Sequence, residues 1–435
     1  MNPLPHDDSP RPLPPVPPAS GRNAPWFPLD NAARIYAAML GSRSPTAFRV
    51  AAVLKEPVDP PALQKALDGT MALFPYFLVH LRYGVFWNYL QAARETAVVR
   101  EERDPPCRDF GARRLLFRVL YYGKRISVEF SHVLTDGSGA LEFARTLVAE
   151  YFRVLGVVFD YTDHLRRPGQ EPAADEFEDA YERFFNKKIP HAQALGTAFH
   201  PAGELVPGGD LLVISGICSK TAILGESKKR NVSVTEFLTA HYLWALFRSR
   251  GRSRRDIRVM VPVNLRGLYP SHTMRNFFLT VFPGIRPALG AYEFDDILKA
   301  VHHYMQIEVD ERFINQQIAR NVASARNPMN RLIPLFVKLP ILRMVFSHSG
   351  SRTASGILSN LGGVGFPEPV ARHVDRFVFI TSPNSVLKLS VGVIGFGERV
   401  TITFAGLVLS TTVPRLFFAA LRWQGIRVFI ETNKE

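Results

Sequence analysis

In the segment SVEFSHVLTDGSG, residues 127–139, a run of strand-forming residues ends at His132, and Asp136 and Gly137 follow in an abrupt turn. A histidine at a strand end can project its ring into a cleft. There its near-neutral intrinsic pKa suits it to take a proton from an alcohol or ammonium group as a general base. The TDGSG run disfavours a regular helix immediately after the strand, so Asp136 need not face the same way as His132. A structural role is expected for it: a carboxylate beside a catalytic loop, best matched by a bidentate guanidinium. Gly137 is expected to take a backbone conformation that other residues resist and to bring its amide close to substrate. Taken alone, HxxxDG equally describes a satisfied histidine near a strand end followed by an ordinary Asp-Gly turn.

The elements around this segment read as α/β. LDNAARIYAAML reads as a capped helix, FRVAAVL as a strand, and DPPALQKALDGTMALFPYF as a helix restarted by Pro60 and Pro61. VHLRYGVFWNYL and LLFRVLYYGKRISVEFSH read as hairpins, the second turning at Tyr122-Gly123-Lys124 and running into His132. SGALEFARTLVAEYFRVLG then has helical spacing and ends at Gly156. Residues 160–205 are polar and interrupted by Pro168, Pro172, Pro190 and Pro201, which marks a crossover between two halves, 26–200 and 201–435. In the second half LLVISGICS and IRVMVPVNLRG read as strands flanking a strongly amphipathic helix, VSVTEFLTAHYLWALFRSRG, capped by Ser233 or Thr235. Helices are expected over 294–313, 333–346 and 414–424, with strands at FVFIT, KLSVGVIGF and RVTITFAGL. The Pro-rich residues 1–25 are expected to form a disordered tail.

Composition narrows the function classes. With 435 residues, 46% apolar and 11% aromatic, the chain can bury two cores of roughly 200 residues each. A formal charge of +14 favours anionic partners: nucleic acid, a membrane face or a polyphosphorylated cofactor. The basic residues are spread out and accompany no helix-turn-helix, zinc-finger or RNA-binding aromatic signature, so no nucleic-acid partner is expected. Cys107 and Cys218 match no metal or redox spacing, and the N-terminus lacks an apolar signal core; a cytoplasmic location is expected.

The ordered set LDNAARIYAAML, FPYFLVHLRYGVFWNYL, SHVLTDGSG, VSVTEFLTAHYLWAL, VPVNLRG, MRNFF and SNLGGVG resembles the chloramphenicol acetyltransferase-like superfamily of HxxxD acyltransferases. That superfamily holds alcohol acetyltransferases, plant-type acyltransferases and peptide-synthetase condensation domains, and the alcohol acetyltransferase branch is the nearest in pattern. The resemblance implies two similar subdomains, each a mixed β-sheet flanked by helices, with a tunnel between them admitting coenzyme A from one side and acceptor from the other. It implies His132 as the catalytic base, Asp136 as the structural aspartate, Arg266 as its partner across the two halves, and Asn276 as a second-half residue supporting the site. Ser359 and Asn360, in SNLGGVG, match the superfamily's second-half loop and would line the tunnel. Two features depart from particular branches: Ser131 stands where condensation domains usually carry a second histidine, and the plant-type DFGWG signature is absent.

Other features have plainer readings. RSRGRSRRDIR, residues 248–258, could meet coenzyme A phosphates, but a solvated helix end whose first arginine complements the helix dipole explains it better. His302 and His303 lack the HExxH pattern, and no metal is expected. LIPLFVKLPILRMVF is expected to cover the second-half sheet with Lys338 and Arg343 on its polar face; a lipid-facing helix is the alternative.

The function these readings imply is acyl transfer from acyl-CoA, the co-substrate, to a hydroxyl or amine acceptor without a covalent enzyme intermediate. A carrier-protein-dependent condensation-type enzyme and a non-catalytic acyl- or CoA-binding relative are the alternatives. A monomer is expected, and peripheral membrane contact is left open without being predicted.

Overall fold

The structure, a computed structural model, describes residues 25–40, 46–110, 114–162, 165–185, 195–326, 332–345 and 351–433. The first half runs β1 (Trp26–Pro28), α1 (Asn31–Met39), β2 (Ala47–Leu54), α2 (Pro60–Leu73), β3 (Val79–Tyr83), β4 (Asn88–Ala92), β5 (Val99–Glu101), β6 (Phe117–Tyr122), β7 (Arg125–Ser131) and α3 (Gly137–Val154). The short α4 (Ala180–Arg183) leads to β8 (Leu212–Ser219), α5 (Lys220–Lys229), α6 (Val234–Ser249), β9 (Ile257–Asn264), β10 (Phe278–Val281) and β11 (Gly284–Ile285). Then follow α7 (Phe294–Glu308), α8 (Glu311–Arg326), α9 (Leu335–Val345), β12 (Gly356–Val364), α10 (Glu368–Ala371), β13 (Val374–Ile380), β14 (Leu389–Phe396), β15 (Arg399–Gly406), α11 (Thr412–Trp423) and β16 (Val428–Thr432).

Local chemistry accounts for the boundaries nearest the site. The Asp30 carboxylate caps α1 by accepting from the Ala33 amide at 2.7 Å. Asp59 caps α2, and Pro60 and Pro61 occupy its first turn, where no intrahelical donor is needed. Gly123 turns the β6–β7 hairpin at φ +53°, a left-handed conformation that costs glycine little. Ser233 and Glu236 form a reciprocal capping box at the start of α6.

Among the described residues the strands form three sheets. The first is β13-β2-β7-β6-β5, the second the small β1-β4-β3, and the third β10-β9-β12-β14-β15-β8-β16, with β11 also paired to β9. The architecture is mixed α/β in two halves, as expected, with one exchange: β13, far along the second half, pairs antiparallel with β2 and completes the first sheet. Two main cores lie on either side, one around Phe48, Phe77, Phe130 and Phe143, the other around Phe237, Val259, Val391 and Phe417.

Several readings change. The helix α6 is not strongly amphipathic: Phe237 to Leu243 and Ala245 to Phe247 are all buried, because α7 and α11 flank it as well as β9. The helical stretch 294–313 breaks in two, since Asp310 accepts from the Arg312 amide and restarts the chain as α8. The helix α5 and the strand β16 went unread. SNLGGVG is not a loop but part of β12, parallel to β14, with a register shift between Asn360 and Gly363 where Gly362 takes φ +74°. The expected helix near 333–346 exists as α9, but it lies on α1 and the β3–β4 turn rather than over the third sheet. The N-terminal residues 1–24 lie outside the described residues. Among the described residues, no helix is long and apolar enough to cross a membrane.

Candidate active site between the two halves

His132 directly follows β7, and its backbone is fixed from both sides. Its amide donates to the Thr46 carbonyl at 3.0 Å, and its carbonyl accepts from Asn276 Nδ2 at 2.8 Å. The imidazole is clamped between two aromatic rings. Tyr36 of α1 stacks on one side at 4.5 Å between centroids and 15° between planes; Phe48 of β2 lies at 4.4 Å and 37°. Nδ1 is buried without a hydrogen-bond partner, whereas Nε2 is neither bonded nor closed off, and the residue as a whole is half-buried.

This environment sets the charge of the ring. Burial disfavours the imidazolium and lowers the pKa to about 4; the Asp136 carboxylate, the Asn276 side chain and the Thr135 backbone oppose that shift and do not overcome it. His132 is therefore neutral at pH 7, with a lone pair to offer.

Asp136 is the most heavily bonded group of the site. Its Oδ1 accepts from the amides of Ser138 and Gly139, each at 3.1 Å, so it caps α3; its Oδ2 accepts from Arg266 Nη1 and the Phe277 amide, each at 2.8 Å. Arg266 sits on a single turn after β9. Its contact with Asp136 is monodentate, not bidentate, because the rest of the guanidinium serves backbone carbonyls: Nε donates to Thr273 at 2.9 Å and Nη2 to Arg275 at 2.6 Å. One arginine thus braces the 273–275 segment and joins it to the start of α3.

Gly137 does not have the unusual backbone expected of it, since its φ is not positive. Its glycine answers a packing need: a Cβ there would lie 2.5 Å from Leu361 Cδ2 of β12. Gly139 is tighter still, with a Cβ falling 2.3 Å from Thr135 Oγ1 and 2.6 Å from the Met274 carbonyl. Asn276 does not present its amide to an open site. Besides the His132 carbonyl, its Nδ2 serves the buried Asp30 carboxylate at 3.1 and 3.3 Å. Ser359 and Asn360 lie on β12, and Asn360 is committed to its own half, donating to Thr235 Oγ1 at 3.0 Å and accepting from the Gly362 amide.

The structure therefore brings His132, Asp136, Gly137, Arg266 and Asn276 together. It adds four residues that sequence reading missed: Tyr36, Phe48, Asp30 and Leu361. Asp30 is buried beside the fully buried Arg275, and burial raises its pKa against the pull of that arginine. The signal for Tyr36 was its place as the one aromatic residue in NAARIYAAM; nothing local said that the ring would meet His132. Elsewhere, Arg250 donates to the Phe247 carbonyl and lies over the Phe247 ring, a helix-end role, and His302 pairs with Glu236. An open pocket of about 350 Å³, lined in part by Glu102, Arg125 and Asn433, lies at the other end of β7 from His132.

No protein-family model matches the chain, and no curated protein matches it in sequence. Solved structures do. Polyketide synthase associated protein 5 from Mycobacterium tuberculosis aligns at TM-score 0.60 and 14% identity, over 91% of this chain and 97% of that one. TRI3 trichothecene 15-O-acetyltransferase from Fusarium sporotrichioides aligns at 0.60 and 11%, over 96% and 99%. The starter condensation domain of rhizomide synthetase RzmA, in complex with C8-CoA and Leu-SNAC, aligns at 0.58 and 13%, over 92% and 93%. With near-complete coverage in both directions, the chain has the two-subdomain chloramphenicol acetyltransferase-like fold shared by condensation domains and this acetyltransferase.

Proposed function

We propose that the protein is an acyltransferase that moves an acyl group, acetyl in the first instance, from acyl-CoA to a hydroxyl or amine acceptor, with His132 as general base. The observation that carries this reading is the setting of the imidazole: clamped on both faces, with Nδ1 enclosed and Nε2 open, surroundings that disfavour its charged form. With Nδ1 enclosed and Nε2 reachable, the Nε2 lone pair is the one an acceptor can meet, and the tautomer this reading requires carries its proton on Nδ1. Nε2 takes the acceptor proton as the acceptor oxygen or nitrogen attacks the thioester carbonyl; the C–S bond then breaks and the imidazolium returns the proton to the departing thiolate. No covalent enzyme intermediate is needed.

Asp136, Arg266 and Asn276 act as positioning residues in this reading. Asn276 Nδ2 is occupied, so the Gly137 amide is the better donor to the developing oxyanion: Asp136 takes the amides of Ser138 and Gly139 but not that of Gly137. Support for a thioester donor comes from the fold shared with a trichothecene acetyltransferase and with a condensation domain bound to C8-CoA. The condensation-domain likeness also favours a second reading, in which a carrier protein rather than free coenzyme A presents the thioester.

The test is thiol release from acetyl- and longer acyl-CoA across a panel of alcohols and amines. Acceptor-dependent release supports the CoA reading. Release only from acyl-phosphopantetheinyl carrier protein supports the second, and release from neither contradicts both.

A further inference from the structure

The helix α9 and the β3–β4 turn form one surface that the site does not use. The Leu335 amide donates to the Val85 carbonyl at 2.7 Å and Lys338 Nζ to the Phe86 carbonyl at 2.9 Å, so helix and turn are locked side by side. Arg343 Nε fixes the far end of the helix to the Ala38 carbonyl of α1 at 2.6 Å. Both partners then turn apolar groups outward: Val85 is 70% exposed, Trp87 59% and Phe336 76%, with Phe86, Val337 and Ile341 beside them. A contiguous exposed apolar cluster of this kind marks an interaction surface.

Charge says what it fits. From Arg312 through Pro367 the sequence holds seven lysines and arginines, Arg312 included, and no acidic residue, and the span from Gly69 to Arg94, which contains the turn, has no acidic residue either. Within the cluster Lys338 lies near Arg34, and Arg343 near Tyr83, close enough in each case for charge to influence titration. A protein partner would be expected to meet an apolar centre with a rim of both signs. Exposed aromatic and aliphatic side chains on the turn and helix, with Arg34, Lys338 and Arg343 around them against the one acidic group acting on Tyr83, Asp109, are instead the composition of an interfacial anchor.

We propose that α9 and the β3–β4 turn dock the protein on an anionic lipid bilayer, with Trp87 and Phe336 inserted at the headgroup level and the basic residues against the phosphates. The docking face then rests on α1, the helix whose Tyr36 covers His132. This inference does not depend on acyl transfer.

The experiment is co-sedimentation of the full chain with vesicles of phosphatidylcholine alone and of phosphatidylcholine containing about a third phosphatidylglycerol, at low and high salt. It is repeated for the double variant Trp87→Ser with Phe336→Ser, whose fold is checked by circular dichroism. Binding to the anionic vesicles is expected, weakened by salt and reduced about tenfold or more in the variant. In the unmodified chain, lipids brominated near the headgroup should quench a component of tryptophan fluorescence that Trp87→Phe removes, a readout that survives if the double variant misfolds. Absence of binding, equal binding by the folded double variant, or a vesicle-independent dimer that the double variant dissolves would overturn the proposal.

Discussion

Burial and reactivity meet at His132. The rings of Tyr36 and Phe48 exclude water from both faces of the imidazole, and that exclusion keeps it neutral. The sign of the pH dependence follows. If His132 is the base proposed, its pKa lowered to about 4 makes it ready over the whole neutral range, so kcat/KM should rise as pH increases through about 4 and stay level past 6.5. Tyr36→Leu hydrates one face of the ring and should move that inflection upward toward the ordinary histidine value, which a pH–rate profile reads; an unmoved inflection would assign the shift to other neighbours. Asp136 carries a different weight. Asp136→Ala removes the charged acceptor of Arg266 Nη1, which keeps only Asn264 Oδ1, leaves the Phe277 amide without its acceptor and uncaps α3, a loss of about 3–5 kcal/mol measurable by denaturant unfolding. The HxxxD spacing was legible because it lies within one short segment. The monodentate geometry of Arg266 was not, since the carbonyls of Thr273 and Arg275 that take its other nitrogens are placed only by the folded 273–277 segment.

At the scale of elements, the start of α3 is squeezed between two neighbours of unequal stiffness. A Cβ at Gly139 meets the Met274 backbone, whereas one at Gly137 meets only the end of the Leu361 side chain. Gly139→Ala should therefore cost about 1–3 kcal/mol in thermal or denaturant unfolding, and Gly137→Ala less; the reverse order would show that Leu361 is the more rigid contact. The hairpin β6–β7, the capped α1 and the Pro-started α2 were legible because each has a local signal: a turn glycine, an Asp cap, prolines in the first turn. The burial of α6 was not, because a helix enclosed by α7, α11 and β9 receives its polar residues from tertiary pairing, as when Glu236 meets His302. The placement of α9 was misread for a related reason. Its Lys338 and Arg343 look like a solvated polar face, yet both reach back to carbonyls of the first half.

For the whole molecule, the exchange of β13 makes the two halves interdependent. Without residues 374–380, β2 becomes a sheet edge although almost all of its side chains are buried, and such an edge pairs with other chains. Residues 25–200 expressed alone should aggregate, and co-expression with residues 201–435 should restore soluble protein; an independently soluble, cooperatively melting first half would show that β13 is dispensable. Pattern within each half revealed strands and helices, but nothing in FVFIT itself tells which sheet it joins. The same interdependence puts the site between the halves, with His132 and Asp136 from one and Arg266 and Asn276 from the other. The most direct test of the account is single-turnover thiol release from acetyl-CoA, with a reactive acceptor present, by wild-type protein and by His132→Ala, with the melting temperature of each. The account predicts release slowed about a hundred- to ten-thousand-fold in the variant at a nearly unchanged melting temperature; wild-type rates from a folded His132→Ala protein would contradict it.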